Sequence, residues 1–551
     1  MKFITDFIRA IITKVNSTPY LIWLILYSAY FILLSWYTRD YLGFSGDFAE
    51  YSNNPLRILQ GQLPYKDFFL VYPPGEVIIP TLIYKIHGVN TDILRFVSII
   101  ISWTTTVAVF FFAKSIFKTN MRAIIFTLIY SFTSVIFFYC GPDYIHLYYF
   151  FIFLSFVSLY FFIHQEKKFF IFLAGLFIGL GLLFRVYEVL AAGFGMYLAL
   201  LVFSITNKYS IFQLIKLSLY YLSGILIMVA FYYLAFAEYF NLMINQVFIL
   251  SLKNGTAMSL PYFSNVQNYI ADIGSDISSL THNFSLKVLI SLLFHLIKIL
   301  VSSVYYLLPL TIVIALVWFI RQKEDLRIKG ISFILFGWAT VSFLKASSRS
   351  DMAHLAPFLA PALMFLFYIL ITQYKNLRNS KLVYYFVVTS LVITLSSSIS
   401  PITRFAQIYS KPNYTFKTET GSIIFTAKKD HDEFSELVNY ISANSTENDF
   451  IFATDWFLPP IHALTGRMNP TYYDSMNDLV ILSSIENQKS IIRDLKRNKT
   501  KFIIHNPEWG YDNKPEQQFR VACSLLQNFF DTECELITSI GNQQILKLKE
   551  Y

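Results

Sequence analysis

Long apolar runs alternate with short polar segments over the first 400 positions of this chain of 551 residues. A helix that crosses the hydrocarbon core of a bilayer needs about 20 largely apolar residues. By that measure the sequence predicts about eleven spans, near 20–37, 92–113, 122–139, 144–163, 169–184, 186–205, 214–236, 301–320, 331–345, 353–373 and 382–400. Beyond about 413 the pattern changes. Phe434, Leu437, Val438 and Ile441 recur at helical spacing, DFIFATD (449–455) and KFIIH (501–505) read as short buried strands, and Ile491, Ile492 and Leu495 fit an amphipathic helix between them. CELITSI and QQILKLK flank Gly541-Asn542, a hairpin turn. The expected fold is thus a polytopic α-helical membrane domain over 1–405 followed by a soluble α/β domain over 406–551.

Composition supports the same picture. Hydrophobic residues make up 55% of the chain and charged residues only 14%, against about 25% charged in ordinary soluble domains. A net charge of +9 would suggest nucleic acid if the basic residues were clustered on one domain, but they sit between the apolar runs. Lys2, Arg9 and Lys14 precede the first span; Lys114, Lys118 and Arg122, then Lys167 and Lys168, then Lys208 and Lys216 follow the second, fourth and sixth. Arg321, Lys323, Arg327 and Lys329 follow the eighth span, and Lys375, Arg378 and Lys381 the tenth. With eleven spans all of these fall on one side, which the positive-inside rule makes cytoplasmic. The N-terminus is then expected in the cytoplasm, in a bacterial plasma membrane. The long loops 38–91 and 238–300 and the C-terminal domain are expected outside. Cys523 and Cys534 both lie in that domain, where a disulfide is as expected as two free thiols.

The first long loop carries the most chemistry. Asp47, Glu50, Arg57, Lys66, Asp67 and Glu76 follow a span without a single charge. Residues 48–59 suit a short amphipathic helix with Asp47 as its N-cap, so that Asp47 and Glu50 share a face. Pro73-Pro74 opens a second apolar helix, ending at His87-Gly88, that is too short to span and reads as interfacial. Gly46-Asp47, Gly61-Gln62-Leu63-Pro64-Tyr65, Tyr72-Pro73-Pro74, His87-Gly88, the Arg95 that starts the next span and the segment SSRSDMAHLAPFLAPALM together resemble the GT-C superfamily of integral membrane glycosyltransferases. The resemblance is nearest to the branch holding protein O-mannosyltransferases and lipid A aminoarabinose transferases, although the latter carry Lys where this chain has Tyr72.

That resemblance implies transfer of a sugar from a polyprenyl-phosphate donor to a lipid, glycan or protein hydroxyl at the outer face of the membrane, with the first-loop acid, here Asp47, in catalysis. The residues suit it. Attack on an anomeric carbon needs a carboxylate to take the acceptor proton, and the departing phosphate needs cationic donors. Asp47 is the expected base and Glu50 its helper; Arg349, His354, Lys66, Tyr72, Lys85, Arg185 and Lys345 are the candidate substrate and phosphate contacts. Asp143 and His146 could join Asp47 or Glu50 around a divalent metal ion. The competing reading is a transporter or flippase of lipid-linked sugars. Such proteins keep ionisable residues near the bilayer midplane, whereas the acids here lie at helix ends on one side.

Overall fold

The computed structural model describes residues 13–14, 17–38, 46–117, 119–133, 145–250, 264–282, 286–322, 326–346, 352–397, 413–425, 427–455, 460–473, 483–510 and 517–549. In lipid every backbone N–H and C=O must be satisfied within the chain, so the apolar runs can only be helical. They form α1 (Tyr20–Thr38), then the loop helices α2 (Gly46–Leu59) and α3 (Gly75–His87), then α4 (Thr91–Ile116), α5 (Asn120–Thr133), α6 (Ile145–Gln165), α7 (Lys168–Gly181), α8 (Tyr187–Thr206) and α9 (Ile211–Ala235). After short helical turns over 237–250 come α10 (Ser264–His282), α11 (Leu286–Ile320), α12 (Leu326–Ala346), α13 (Met352–Thr372) and α14 (Lys381–Ser397). Within the described residues each expected span overlaps one of these helices; positions 134–139, 144 and 398–400 of the expected spans lie outside the described residues. Among the described residues four of them, over Thr91–Ile116, Leu147–Gln165, Tyr187–Ile205 and Ile211–Ala235, are long and apolar enough to cross a membrane. The chain is an integral membrane protein.

One boundary differs from expectation, and the Pro-Pro helix agrees with it. The helix expected from 301 begins at Leu286, because α10 packs along its first turns and offers carboxylates to His295, whose Nδ1 lies 2.8 Å from Asp276 Oδ2 and whose Nε2 lies 3.8 Å from Asp272. α3 is 13 residues long, roughly 20 Å and too short to span. It buries Val77 and Tyr84 and exposes Ile78, Leu82 and Ile86 in one row, the amphipathic arrangement of an interfacial helix.

Packing within the bundle rests on small residues and aromatic rings. A Cβ on Gly195 of α8 would lie 2.6 Å from the Gly337 carbonyl carbon of α12, and one on Gly175 of α7 would lie 1.9 Å from the Tyr221 oxygen of α9. Without a hydrophobic drive between helices in lipid, such backbone approach is a main source of association. Phe112 meets Phe153, Phe156 and Tyr160 edge to face with ring centroids 5.3, 4.3 and 5.5 Å apart, the arrangement favoured by the ring quadrupole. At one end of the bundle Lys114 donates to Asn120 Oδ1 and Asn120 Nδ2 to the Thr18 carbonyl, which brings two of the basic segments together.

The opposite end carries the loop helices and the C-terminal domain. That domain begins with a hairpin, β1 (Tyr414–Thr418) and β2 (Gly421–Phe425), and continues through α15 (Lys428–Asn444), β3 (Ile451–Ala453), α16 (Ile461–Thr465), α17 (Ile485–Arg497), β4 (Phe502–His505), α18 (Ser524–Glu533), β5 (Cys534–Ile540) and β6 (Gln543–Leu548). Its four-stranded sheet has the order β3-β4-β6-β5, with β3 and β4 parallel and the rest antiparallel. The β5–β6 hairpin turns at Gly541, which has φ +56°, as the Gly-Asn pair suggests. Cys523 and Cys534 are free and buried, and burial pushes their thiols up to about 12 and about 11.

The hairpin docks on the start of α4. The Thr91 amide donates to the Thr420 carbonyl at 2.8 Å; Asp92 Oδ1 accepts from the Ser422 amide and hydroxyl, each at 3.1 Å; Arg95, 1% exposed, bridges Asp92 at 3.0 Å and the Ser422 carbonyl. Gly421 has φ +150°, and a Cβ there would stand 1.8 Å from Thr91 Oγ1. Gly421→Ala is therefore expected to loosen this seam by about 1–3 kcal/mol, seen as faster amide exchange over residues 414–425; unchanged exchange would show that the seam does not depend on the close approach.

Two histidines make the domain sensitive to acid. Burial pushes His462, whose Nδ1 donates to the Arg467 carbonyl at 3.1 Å, and His505 down to about 4. Above about pH 6.5 both are neutral folded or unfolded and add no pH dependence. Between about 6.5 and about 4 only the unfolded chain takes up the protons, so stability falls with pH by up to roughly 3 kcal/mol per histidine, and the loss is complete below about 4. The thermal midpoint of the purified protein should drop across that window, and His505→Gln should remove about one proton from the slope. A midpoint that stays flat there would count against the burial.

Candidate functional site

The site assembles where three distant segments meet at the loop end of the bundle. α2 carries Asp47 and Glu50 in its first turn, three residues apart and so on one helical face. Their side chains, like those of His146, Lys345 and His354, lie outside the described residues, as do Asp143 and Arg349 altogether. The next turn of α2 is described: Tyr51, Ser52 and Asn54 are buried, and Asn53 Oδ1 accepts from the Ala463 amide of α16 at 3.0 Å. α2 thus lies between α3 and the C-terminal domain.

The Gly61-Gln62-Leu63-Pro64-Tyr65 element behind α2 is a knot. Tyr65 is fully buried with a left-handed φ of +69°. Its carbonyl accepts from Tyr472 Oη at 2.7 Å and from Gln246 Nε2 at 3.0 Å, while Gln246 Oε1 accepts from the Leu70 amide at 2.9 Å. One glutamine beyond α9 and one tyrosine of the C-terminal domain thereby hold the loop in a conformation that a tyrosine does not adopt unaided. Burial, then the neighbouring Tyr232, Glu76 and Tyr239, push the Tyr65 phenol well above its usual range. It stays protonated and donates to the Tyr72 carbonyl at 2.7 Å.

From Tyr72 the chain enters α3. The Gly75 amide donates to the Leu183 carbonyl at 2.8 Å, and a Cβ on Gly75 would come within 2.5 Å of that oxygen. The Pro-Pro helix is thereby seated on the turn between α7 and α8, which carries Arg185. The Arg185 guanidinium stacks over the Tyr72 ring at 4.6 Å, a cation–π contact. Glu76 and Glu188, each in the first turn of a helix where the macrodipole favours a carboxylate, are 2% and 6% exposed. Glu188 and Arg185 both lie close enough to Tyr148 for their charges to act on its hydroxyl.

Of the candidate residues, Tyr72 and Arg185 are therefore brought together. Lys66 and Lys85 are not part of this group. Lys66 is exposed on a separate polar cleft, and Lys85 is exposed in the last turn of α3, roughly 14 Å along the helix from Glu76. Arg95 belongs to the seam with β2. Glu76 was not among the candidates; its signal is an acid directly after Pro-Pro-Gly at a helix start. It lines a narrow slot with Tyr51, Ile79, Ile83, Val97 and Ile101, a largely apolar surface that includes Tyr51, the residue after Glu50. Among the described residues no three His, Cys, Asp or Glu side chains gather as a metal site.

Residues 72–236 match the family model described as dolichyl-phosphate-mannose-protein mannosyltransferase. The matched segment begins at the Pro-Pro element and ends with α9, so it spans Tyr72, Glu76, Arg185 and Glu188 but not α2 or the C-terminal domain. No curated protein matches the chain. Among solved structures, the crystal structure of the Archaeoglobus fulgidus oligosaccharyltransferase, in complex with Zn and sulfate, aligns over 87% of this chain and 68% of its own at 13% identity and a TM-score of 0.46. Of the segments that carry the sequence resemblance to the GT-C superfamily, the match over 72–236 takes in Tyr72-Pro73-Pro74, His87-Gly88 and Arg95.

Proposed function

We propose that this chain, a membrane glycosyltransferase of the GT-C type, moves a sugar from a polyprenyl-phosphate carrier to an acceptor hydroxyl at the extracytoplasmic face. The observation that carries this reading is the seat of α2. The helix bearing Asp47 in its first turn is fixed between the Pro-Pro helix and the C-terminal domain, at the end of the bundle away from the Lys114 segment, and beside a group holding Arg185, Tyr72 and Glu76. Acids gather here at helix starts, not at mid-bundle, which suits surface chemistry.

In the proposed step the acceptor oxygen attacks the anomeric carbon from the face opposite the phosphate. The new C–O bond forms as the bond from the anomeric carbon to the phosphate oxygen breaks, with inversion. Asp47 takes the acceptor proton, and general-base assistance of this kind contributes about 10²–10⁴-fold. Glu50, on the same face, orients the acceptor hydroxyl. The bonding pair leaves with the polyprenyl phosphate, whose extra charge falls to cationic donors. Arg185 is the described residue best placed for this, because stacking on Tyr72 holds its planar fork in one orientation. Arg349, His354 and Lys345 are proposed as further contacts to the phosphate. Asp143 and His146 would supply ligands if the reaction uses a divalent ion.

Purified protein given polyprenyl-phosphate mannose and a hydroxyl acceptor provides the test. Asp47→Asn should keep the fold and lose about 10²–10⁴-fold in transfer, with a smaller loss for Glu50→Gln. A folded Asp47→Asn protein that transfers at the full rate would rule Asp47 out as the base.

A further inference from the structure

A polar cleft of about 580 Å³ opens between the C-terminal end of α2 and the C-terminal domain, within the ~300–1,000 Å³ range of small-molecule sites. The loop after α2 forms one wall; residues 469–472 and α17 form the other. Its charged lining is Arg57, Lys66, Arg493 and Arg497 against Asp67 and Asp494. Both acids are already engaged: Asp67 Oδ2 accepts from the Leu63 amide at 2.8 Å, and Asp494 holds Arg497 at 3.0 Å and accepts from the Tyr472 amide at 3.2 Å. Arg57, 4% exposed, is spent on structure, with its Nε on Gln62 Oε1 at 2.6 Å, its Nη2 on the Thr471 carbonyl at 2.8 Å and its plane 4.7 Å above the Phe68 ring.

Two cations are left over. Lys66 and Arg493 are exposed, and among the described residues neither has a carboxylate within ion-pair distance. Around them are groups that suit hydroxyls: the Gln62 amide, whose oxygen is held by Arg57 so that its –NH2 is left to donate, the Asn498 amide, whose nitrogen donates to the Pro470 carbonyl and leaves its oxygen to accept, and the Ser490 hydroxyl. Phe450 and Tyr472 add aromatic surface. Fixed planar amides, one aromatic wall and a spare positive charge are the chemistry of an acidic sugar. The cleft also shares a helix with the proposed base: Asp47 and Arg57 are ten residues apart on α2, about 15 Å of helix.

We propose that this cleft holds an acidic saccharide unit of the acceptor, its carboxylate or phosphate between Lys66 and Arg493, and thereby selects which acceptors are used. The proposal rests on the glycosyltransferase reading for its acceptor, and α2 acts as the spacer. An acidic unit in the cleft leaves a hydroxyl farther along the same chain to reach Asp47.

Calorimetry on the full chain in detergent tests this without transfer, using trigalacturonate, glucose 6-phosphate, neutral maltotriose and inorganic phosphate as probes. Trigalacturonate or glucose 6-phosphate should bind, more weakly as ionic strength rises, and at least tenfold more tightly than maltotriose or phosphate. Lys66→Gln and Arg493→Gln should each weaken that binding about tenfold, as expected for one charge-assisted contact, Lys66→Arg should restore it, and Asp47→Asn should bind like the wild type. Equal binding of maltotriose would overturn the proposal, as would inorganic phosphate binding as tightly as the sugars, no binding of either acidic probe, or indifference to both neutralising variants. Binding without any transfer would leave the cleft standing and sink the glycosyltransferase reading. Transfer that depends on Asp47 without binding would do the reverse.

Discussion

Arg95 is a guanidinium buried at the first turn of a membrane helix, with Asp92 and the Ser422 carbonyl within its reach. Desolvating an ion costs several kcal/mol unless its partners are well placed. Here they come from both sides of a seam, since Asp92 also accepts from the Ser422 amide and hydroxyl. The pair therefore fixes the hairpin to α4 more than it stabilises either part. Once the hairpin is fixed, α16 lies on α2 through Asn53, and residues 471–473 lie on the first loop through Arg57 and Phe69. The position of the Asp47 helix is a consequence of that chain of contacts.

The helices below supply a platform of a different kind. Gly195 against Gly337, and Gly175 against Tyr221, bring backbones to distances at which no side chain fits. Close-packed interfaces of this sort have few alternative arrangements. The turn that carries Arg185 runs directly from α7 into α8, one helix from each pair, so its position under Tyr72 follows from backbone packing and not from the polar groups around it.

Much of this was legible in the sequence because it is periodic or local. Apolar runs predict helices wherever lipid leaves no other way to satisfy the backbone, and the strands around 451 and 502 and the Gly541 turn follow from short patterns. The interfacial character of α3 could be read from its length and its paired prolines. What could not be read is every contact between distant segments. Gln246 lies in an unremarkable stretch after α9, yet it holds the Tyr65 carbonyl; nothing in its surroundings marks it. Arg95 reads from the sequence only as the charge that starts a span, because the carbonyl it holds is 327 positions away. That Lys66 shares a cleft with α17 could not be read either, since more than 400 positions separate them. The early start of α11 was not legible because His295 finds carboxylates on α10, which hydropathy cannot weigh.

The hydrogen bond from Arg57 to Thr471 joins residues 414 positions apart, and this has a consequence for how the protein is made. A nascent chain that has inserted α1 to α9 already holds Asp47, Tyr72 and Arg185. It lacks the strand, the tyrosine and the carbonyl that seat the first loop. Only when the C-terminal domain has folded against it does α2 acquire its second wall. The first loop is therefore completed by segments far downstream of it, so its seat and the C-terminal domain are expected to form together.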